Sequence, residues 1–123
     1  MNRKECDEVN QAVIEALHID LAEIEAAFGG HIEIYFRYLM RFPKDKTFFE
    51  LQEAVSEGSG SEIARAAHSL KGLCATLRLT KLAGMAKEIE ARAEFGKIEE
   101  IEDRMPELLK EYNEIVLCIE QYT

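Results

Sequence analysis

Apolar residues recur every three to four positions along most of this chain, which is the spacing of one face of an α-helix. The recurrence is longest near the C-terminus, over residues 98–121. No segment shows the period of two that indicates a half-buried β-strand, and no internal repeat stands out. Helices are predicted at residues 3–17, 31–42, 62–77, 80–96 and 98–121. A short helix is predicted between Asp20 and Gly29, and an apolar stripe continues from Pro43 to Gly58.

The helix boundaries follow from residues with strong preferences for helix ends. Asp20, Ser61 and Thr80 are predicted N-caps, because their short polar side chains accept hydrogen bonds from the first unpaired N–H groups of a helix. Pro106 lies inside the last predicted helix and is expected to bend it or to mark a break near its first turns. These boundaries leave only short loops between the longer helices.

Short loops between long amphipathic helices make consecutive helices antiparallel neighbours. The sequence therefore predicts an all-α protein, an up-down antiparallel four-helix bundle with accessory N-terminal helices. We assign residues 1–17 to an accessory N-terminal helix and residues 18–123 to the helical bundle, within a single domain overall.

The composition narrows the class of protein. The chain has 123 residues, 47% of them hydrophobic, and a formal net charge of −9. An acidic chain lacks the excess of Lys and Arg that neutralises nucleic-acid phosphates or an anionic membrane surface, so neither partner is expected. The N-terminus has no apolar signal-peptide segment, no stretch approaches the length of a membrane span, and the three cysteines form no C-x-x-C pair. These features predict a cytoplasmic protein with reduced thiols.

The stretch AAHSLKG at residues 66–72 combines a histidine, a lysine and a glycine in a helical run of small and apolar residues. Glycine costs roughly 1 kcal/mol relative to alanine inside a helix, so helix stability does not account for it. On a helical wheel, the apolar residues lie opposite His68, which argues against a histidine buried in the core. The apolar face of this helix consists of Ile63, Ala66, Leu70, Leu73, Cys74 and Leu77.

The neighbours of His68 argue against the other alternative, an inert surface histidine. Lys71 lies one turn onward on the same side of the helix, where its ammonium can reach whatever the imidazole holds. Gly72 leaves open space beside the ring because it has no Cβ. Ala64 and Ala75 extend this strip of small residues. The pattern predicts an exposed imidazole on a flat surface with a cation beside it.

The charge distribution around this helix favours an anionic ligand. Residues 63–87 hold five basic side chains and no acidic one, in a chain that is acidic overall. Histidine is one of the side chains that forms covalent intermediates, and phosphoryl transfer needs mainly alignment and charge stabilisation. A lysine beside the ring supplies a point charge for phosphoryl oxygens. These residues together permit phosphoryl transfer through His68.

The segment ARAAHSLKGLCATLRLTKLAGMAKEIE, residues 64–90, resembles the histidine-containing phosphotransfer (HPt) domains of bacterial multistep phosphorelays. The signature of that family is His-x-x-Lys-Gly in an Ala-rich helix, followed by a leucine-spaced helix that ends near Leu-Glu or Ile-Glu. The FGG at residues 28–30 is similar to the family's upstream Gly-Gly turn, and the GS at residues 60–61 to its Gly-Asp turn. The resemblance covers roughly residues 18–121.

The resemblance implies a phosphocarrier without ATP-dependent kinase activity of its own. By position, His68 would be the phosphoacceptor, bonded through Nε2, Lys71 would stabilise the phosphoryl group, and Gly72 would provide steric access. The implied partners are response-regulator receiver domains and a hybrid sensor histidine kinase. No cofactor is expected in this chain, which would act as a monomer, and Mg²⁺ would come from the partner receiver domain.

The surface for docking a receiver domain is predicted beside the phosphoacceptor, from small and apolar residues with one cation on the rim. Its members are Ala64, Ala75 and Leu79, with Arg65 as the rim cation. One position departs from the family pattern. Ten residues after the histidine the family usually has glycine, whereas this chain has Arg78. Glycine commonly serves such helix ends in the left-handed conformation, so the departure puts the following turn in doubt.

Two other functional classes are alternatives to the phosphocarrier. A helical docking module that binds a response regulator or another signalling protein without phosphorylation is the alternative, and Arg78 keeps it open. A metal-binding bundle would need inward carboxylates or histidines, whereas the inward positions are apolar, so no metal site is expected. His18 and His31 have no partner at ligand spacing and are interpreted as structural or solvated.

Overall fold

The computed structural model describes residues 3–122, apart from the side chains of Arg3, Lys4 and Cys6. Within this range every regular element is helical, which confirms the predicted all-α class. A short 3₁₀ turn at Phe42–Lys44 separates the third and fourth helices. The α-helices of the described residues are α1 (Arg3–Ala16), α2 (Leu21–Ala27), α3 (Ile32–Arg41), α4 (Thr47–Glu57), α5 (Gly60–Thr76), α6 (Thr80–Glu94) and α7 (Ile98–Glu120).

The chain forms two compact units. One unit holds α1 to α3 and the chain from Glu114 onward, and its core includes edge-to-face contacts of Tyr35 with Phe28 and Phe36. The other unit, Asp45–Asn113, holds α4, α5, α6 and the first part of α7. The proposed boundary between an accessory segment at 1–17 and a bundle at 18–123 stays a prediction.

The unit Asp45–Asn113 is a bundle of four helical segments around an apolar core. Ion pairs join Lys81 to Glu111 and Arg92 to Glu100, at opposite ends of α6, so α6 and α7 run antiparallel. The rings of Phe48 and Tyr112 stack with their centroids 3.9 Å apart, which links α4 to α7. The most fully buried aliphatic side chains of this unit are Leu51, Ile63, Leu70, Leu77, Leu82, Ile89, Ile101 and Leu108.

The buried face of α5 differs from the predicted face at three positions. Ala67 is fully buried, whereas Ala66 and Leu73, which the wheel assigned to the core, are only half-buried. The reason is that α5 packs against two neighbours, and its buried positions follow the alternating spacing of four and three residues that is typical of helix bundles. The buried residues of α5 and its C-terminal cap are Ile63, Ala67, Leu70, Cys74 and Leu77.

The structure confirms one predicted N-cap and corrects two. The Asp20 carboxylate accepts hydrogen bonds from the N–H groups that open α2. For α5 the cap is Ser59, not Ser61, because the Ser59 hydroxyl accepts from the Glu62 N–H. Thr80 is the first residue of α6, and the cap position belongs to the buried Leu79. In the last helix, α7 continues through Pro106, so of the two alternatives, a bend or a break, the break does not occur.

A Schellman motif closes the turn between α5 and α6, with arginine at the left-handed position. Arg78 has φ +62°, the Leu79 N–H donates to the Cys74 carbonyl at 2.8 Å, and the Arg78 N–H donates to the Ala75 carbonyl at 3.2 Å. Nη1 of Arg78 also donates to the carbonyls of Ala75 at 2.8 Å and Thr76 at 3.4 Å. The turn that the sequence put in doubt therefore forms without glycine.

We predict that Arg78→Gly has a free energy of unfolding about 1 kcal/mol higher than Arg78→Ala. A left-handed residue with a Cβ costs about 1–2 kcal/mol, and the greater freedom of glycine in the unfolded chain offsets about 0.5–1 kcal/mol of that gain. Both variants lose the same guanidinium hydrogen bonds, so their difference isolates the backbone conformation. Urea denaturation followed by circular dichroism measures it, and equal stabilities would contradict the left-handed position of residue 78.

Candidate functional site

His68 lies on the solvent side of α5, as the wheel predicts. Its side chain is 65% exposed, whereas the next apolar residues of the helix, Ala67 and Leu70, are fully buried. Lys71 follows one turn later with 30% of its side chain exposed. The core-facing spacing of α5 thus directs both polar side chains away from the core, toward the edge of the helix beside α6.

A carboxylate from α6 links these two residues. Oε2 of Glu90 lies 2.8 Å from Nδ1 of His68, and the Lys71 ammonium donates to Oε1 at 3.0 Å. The Glu90 side chain is only 16% exposed, so most of it is covered by its neighbours. One carboxylate therefore holds the predicted imidazole and the predicted cation together, each through its own oxygen.

The ionisation of Glu90 determines which ring nitrogen of His68 carries the proton. The hydrogen bond from Lys71 lowers the pKa of Glu90 below its ordinary value, with a further contribution from His68 and an opposing one from burial. An ionised carboxylate can only accept hydrogen bonds, so Nδ1 is the donor in this contact. Nε2 has no hydrogen-bond partner among residues 3–122 and keeps its lone pair when the ring is neutral.

The surface next to the ring consists of small residues. A Cβ built on Gly72 would meet no atom within 4 Å, so the helix itself leaves this position open. Ala75 is exposed and Ala64 is half-buried on the same helix. A flat partner surface can approach such a strip closely, because Ala64, Gly72 and Ala75 themselves have no long side chains.

The structure buries one residue of the predicted docking surface and pairs another. Leu79 is buried, with 4% of its surface exposed, so its expected place on a solvent-facing surface is wrong. The reason is that Leu79 lies beyond the end of α5, where the chain turns and the helical wheel no longer gives its direction. Arg65 is exposed, and its guanidinium pairs with Glu62 one turn earlier.

The basic character of residues 63–87 is weaker in the folded protein than in the linear sequence. Acidic residues from outside this interval pair with several of its cations. These pairs are Arg65 with Glu62, Lys71 with Glu90, and Lys81 with Glu111. The positive charge available to an anion therefore depends on which of these contacts a ligand displaces.

Sequence reasoning gave Glu90 no role, although the Ile-Glu at residues 89–90 was part of the family pattern. The signal that could have found it is the register of the α5–α6 hairpin. A turn near residue 78 places positions about equally far before and after it side by side, and His68 then lies across from the end of α6. An acidic residue at that place is a natural partner for an exposed imidazole.

The remaining candidates have structural explanations. His18 ends α1 in a left-handed conformation and is exposed, and exposed His31 lies 3.5 Å from Glu33, in agreement with their interpretation as structural or solvated. Burial raises the pKa of the Cys74 thiol to about 12 and also raises that of Cys118. Within the described part of the chain, no three His, Cys, Asp or Glu residues are grouped so as to hold a metal ion.

Comparison with known proteins adds a family to this geometry. Residues 7–117 match the family model of the Hpt domain. No curated protein and no solved structure matches the chain. None of the helices within residues 3–122 has the length and apolar character needed to cross a membrane. The family match spans most of the chain and includes both helices of the site, and the protein therefore belongs to the Hpt domain family, whose members have a histidine phosphotransfer role in phosphorelays.

Proposed function

We propose that this protein accepts a phosphoryl group on Nε2 of His68 from the aspartyl phosphate of one receiver domain and passes it to the aspartate of another. The family supports a phosphorelay role in general. The observation that carries the assignment to His68 is the contact of Nδ1 with Glu90 at 2.8 Å. It leaves the exposed Nε2 as the nitrogen with a lone pair.

The transfer step is balanced without a base in this chain. The Nε2 lone pair of His68 attacks phosphorus, the bond from phosphorus to the aspartyl oxygen breaks, and its electron pair stays on the receiver's carboxylate. No proton has to leave Nε2, because the ring proton is on Nδ1, held by Glu90. Glu90 is in this scheme a positioning residue, since it fixes the tautomer and orientation of the ring without contacting phosphorus.

Lys71 and Gly72 have separate roles in this scheme. The Lys71 ammonium is one helical turn from the ring and stabilises the phosphoryl oxygens as a point charge. Gly72 gives the donor room to reach a line of attack on phosphorus, since a side chain there would stand beside the ring. The receiver domain supplies Mg²⁺, and the chain has no cofactor of its own and no kinase activity toward ATP.

The docking surface in this proposal is the strip of small residues on α5. Ala64 and Ala75 form its floor on either side of His68, and Arg65 forms part of its rim. Receiver domains of response regulators and of a hybrid sensor histidine kinase would use the same strip, since both must bring an aspartate to the same nitrogen. The protein acts as a monomer in the cytoplasm.

We predict that a phosphorylated receiver domain labels the wild-type protein but not His68→Gln, because glutamine has no ring nitrogen to form the P–N bond. Incubation with a ³²P-labelled receiver, followed by electrophoresis, measures the label. It should be acid-labile and alkali-stable, as expected for a phosphoramidate. The control is His31→Gln, which removes another exposed histidine and should be labelled like the wild type.

A receiver that binds wild type and His68→Gln equally, without moving label to either, would contradict the proposal. That result would support the alternative of a docking module without phosphorylation. Label on His68→Gln would instead show that a different residue accepts the phosphoryl group.

We also predict that Gly72→Gln slows transfer from the receiver at least tenfold while raising the stability of the helix. The tenfold loss corresponds to about 1.4 kcal/mol of the barrier, a modest cost for displacing a docked partner. The gain in unfolding free energy is of the order of 1 kcal/mol, because Gly72 is inside α5 with open space around it. Transfer reactions quenched at successive times measure the transfer rate, and urea denaturation measures the stability.

The matched control for this substitution is Gly84→Gln in α6. Gly84 also has open space around a built Cβ and should gain similar stability, but it has no assigned role in transfer. Wild-type transfer rates in Gly72→Gln would show that steric access at this position does not matter.

A further inference from the structure

We infer that Glu90 keeps the Nδ1 proton on His68 throughout the transfer cycle and acts as the counter-ion of the phosphorylated ring. The phosphoryl group would then leave from a protonated ring, which is the more reactive form of a phosphoimidazole. This inference rests on the proposed function, because it concerns the phosphorylated form of the same histidine. It assigns to Glu90 a role in the phosphorylated state in addition to fixing the resting tautomer.

In the phosphorylated state, the geometry around Nδ1 favours a proton on this nitrogen. A phosphoryl group on Nε2 occupies that nitrogen, so Nδ1 is the only place for a ring proton. Oε2 of Glu90 lies 2.8 Å from Nδ1, and an unprotonated Nδ1 would direct its lone pair at a carboxylate oxygen. A proton between them converts that repulsion into a charge-assisted hydrogen bond.

The Glu90 carboxylate is also held in place by a second contact, which opposes its movement away from the ring. Its other oxygen accepts from the Lys71 ammonium at 3.0 Å, and its side chain is 16% exposed. The same hydrogen bond from Lys71 lowers the pKa of Glu90, which keeps the carboxylate ionised around neutral pH. The negative charge next to Nδ1 is therefore present in the pH range where histidine side chains exchange protons.

Other charged groups near this helix surface have different partners or positions. From α5, the Arg65 guanidinium pairs with Glu62. From α6, Lys87 and Glu94 are exposed about one turn before and after Glu90. From α4, three glutamates line a groove that includes Arg65 and Ser69 of α5; they are Glu50, Glu53 and Glu57. Among the described residues, only Glu90 hydrogen-bonds to Nδ1.

The proton on Nδ1 changes the leaving group of the outgoing transfer. A carboxylate oxygen of the receiver's aspartate attacks phosphorus, the P–Nε2 bond breaks, and its electron pair returns to Nε2. With Nδ1 protonated, the ring leaves as neutral imidazole in the resting tautomer, and no proton moves. Without that proton, the ring would leave as an imidazolate anion, which is a much poorer leaving group.

Glutamine at this position would behave differently although it has nearly the same shape. Its amide can either accept from a protonated Nδ1 or, after rotation, donate to an unprotonated one. Glu90→Gln therefore removes the penalty for losing the proton as the pH rises. We expect the P–N bond of this variant to become less reactive with rising pH, whereas that of the wild type keeps its reactivity.

The experiment compares wild type, Glu90→Gln and the matched control Glu94→Gln, which removes the same charge about one turn later in α6. Each full-length protein is phosphorylated with potassium phosphoramidate, a chemical donor that requires no receiver. Hydrolysis of the P–N bond is followed by ³¹P NMR between about pH 6 and pH 8. Wild type and Glu94→Gln should change less than about twofold over this range. Glu90→Gln should slow by up to about tenfold per pH unit, because the protonated fraction of a single site falls by that factor.

Parallel pH profiles for wild type and Glu90→Gln would overturn the inference. A wild-type phosphoprotein whose Nδ1 shows no bound proton by ¹⁵N NMR near the upper pH would also overturn it, as would failure of phosphoramidate to label His68. The proposed function is judged separately. If phosphoramidate labels His68 but no receiver donates or accepts the group, the relay role fails, while the hydrolysis profiles still decide the role of Glu90.

Discussion

The shared carboxylate of Glu90 is the contact on which the arrangement of the site depends. It joins an imidazole and an ammonium from α5 to the neighbouring helix through two separate oxygens. A lone exposed histidine would sample several rotamers and both neutral tautomers. Here a single acidic side chain favours one tautomer and one orientation of the ring. Its charge is not left unpaired, because both of its oxygens accept hydrogen bonds.

The packing of the bundle makes this contact possible. The buried residues of α5 recur at alternating steps of four and three, so the opposite side of the helix is free of core constraints. His68 and Gly72 lie on that side, where a poor helix former costs little beyond its intrinsic propensity. The core therefore specifies where the reactive surface lies, and the stability lost at Gly72 is small compared with what a fully buried leucine such as Leu70 contributes.

The sequence predicted local features well and tertiary ones incompletely. The exposed position of His68 follows from periodicity within one helix, which is a short-range property. Glu90 was missed because its role depends on the register between two helices, and Leu79 was misplaced because a wheel has no meaning beyond the last helical residue. The N-cap at Ser59 was missed for a related reason, since two nearby serines have the same chemistry and only the path of the chain chooses between them.

The left-handed turn at Arg78 sets the register between α5 and α6 at the site. Its two backbone hydrogen bonds fix how far α6 is displaced along α5 and how it is rotated, and so determine which residue of α6 faces the imidazole. One residue more or less in this turn would shift the register of α6 by one position, which is about 100° around the helix axis, and the carboxylate would no longer face the ring. The three-residue connection between α5 and α6 lies about ten positions from the histidine. Its length thus determines whether a carboxylate charge lies beside the ring.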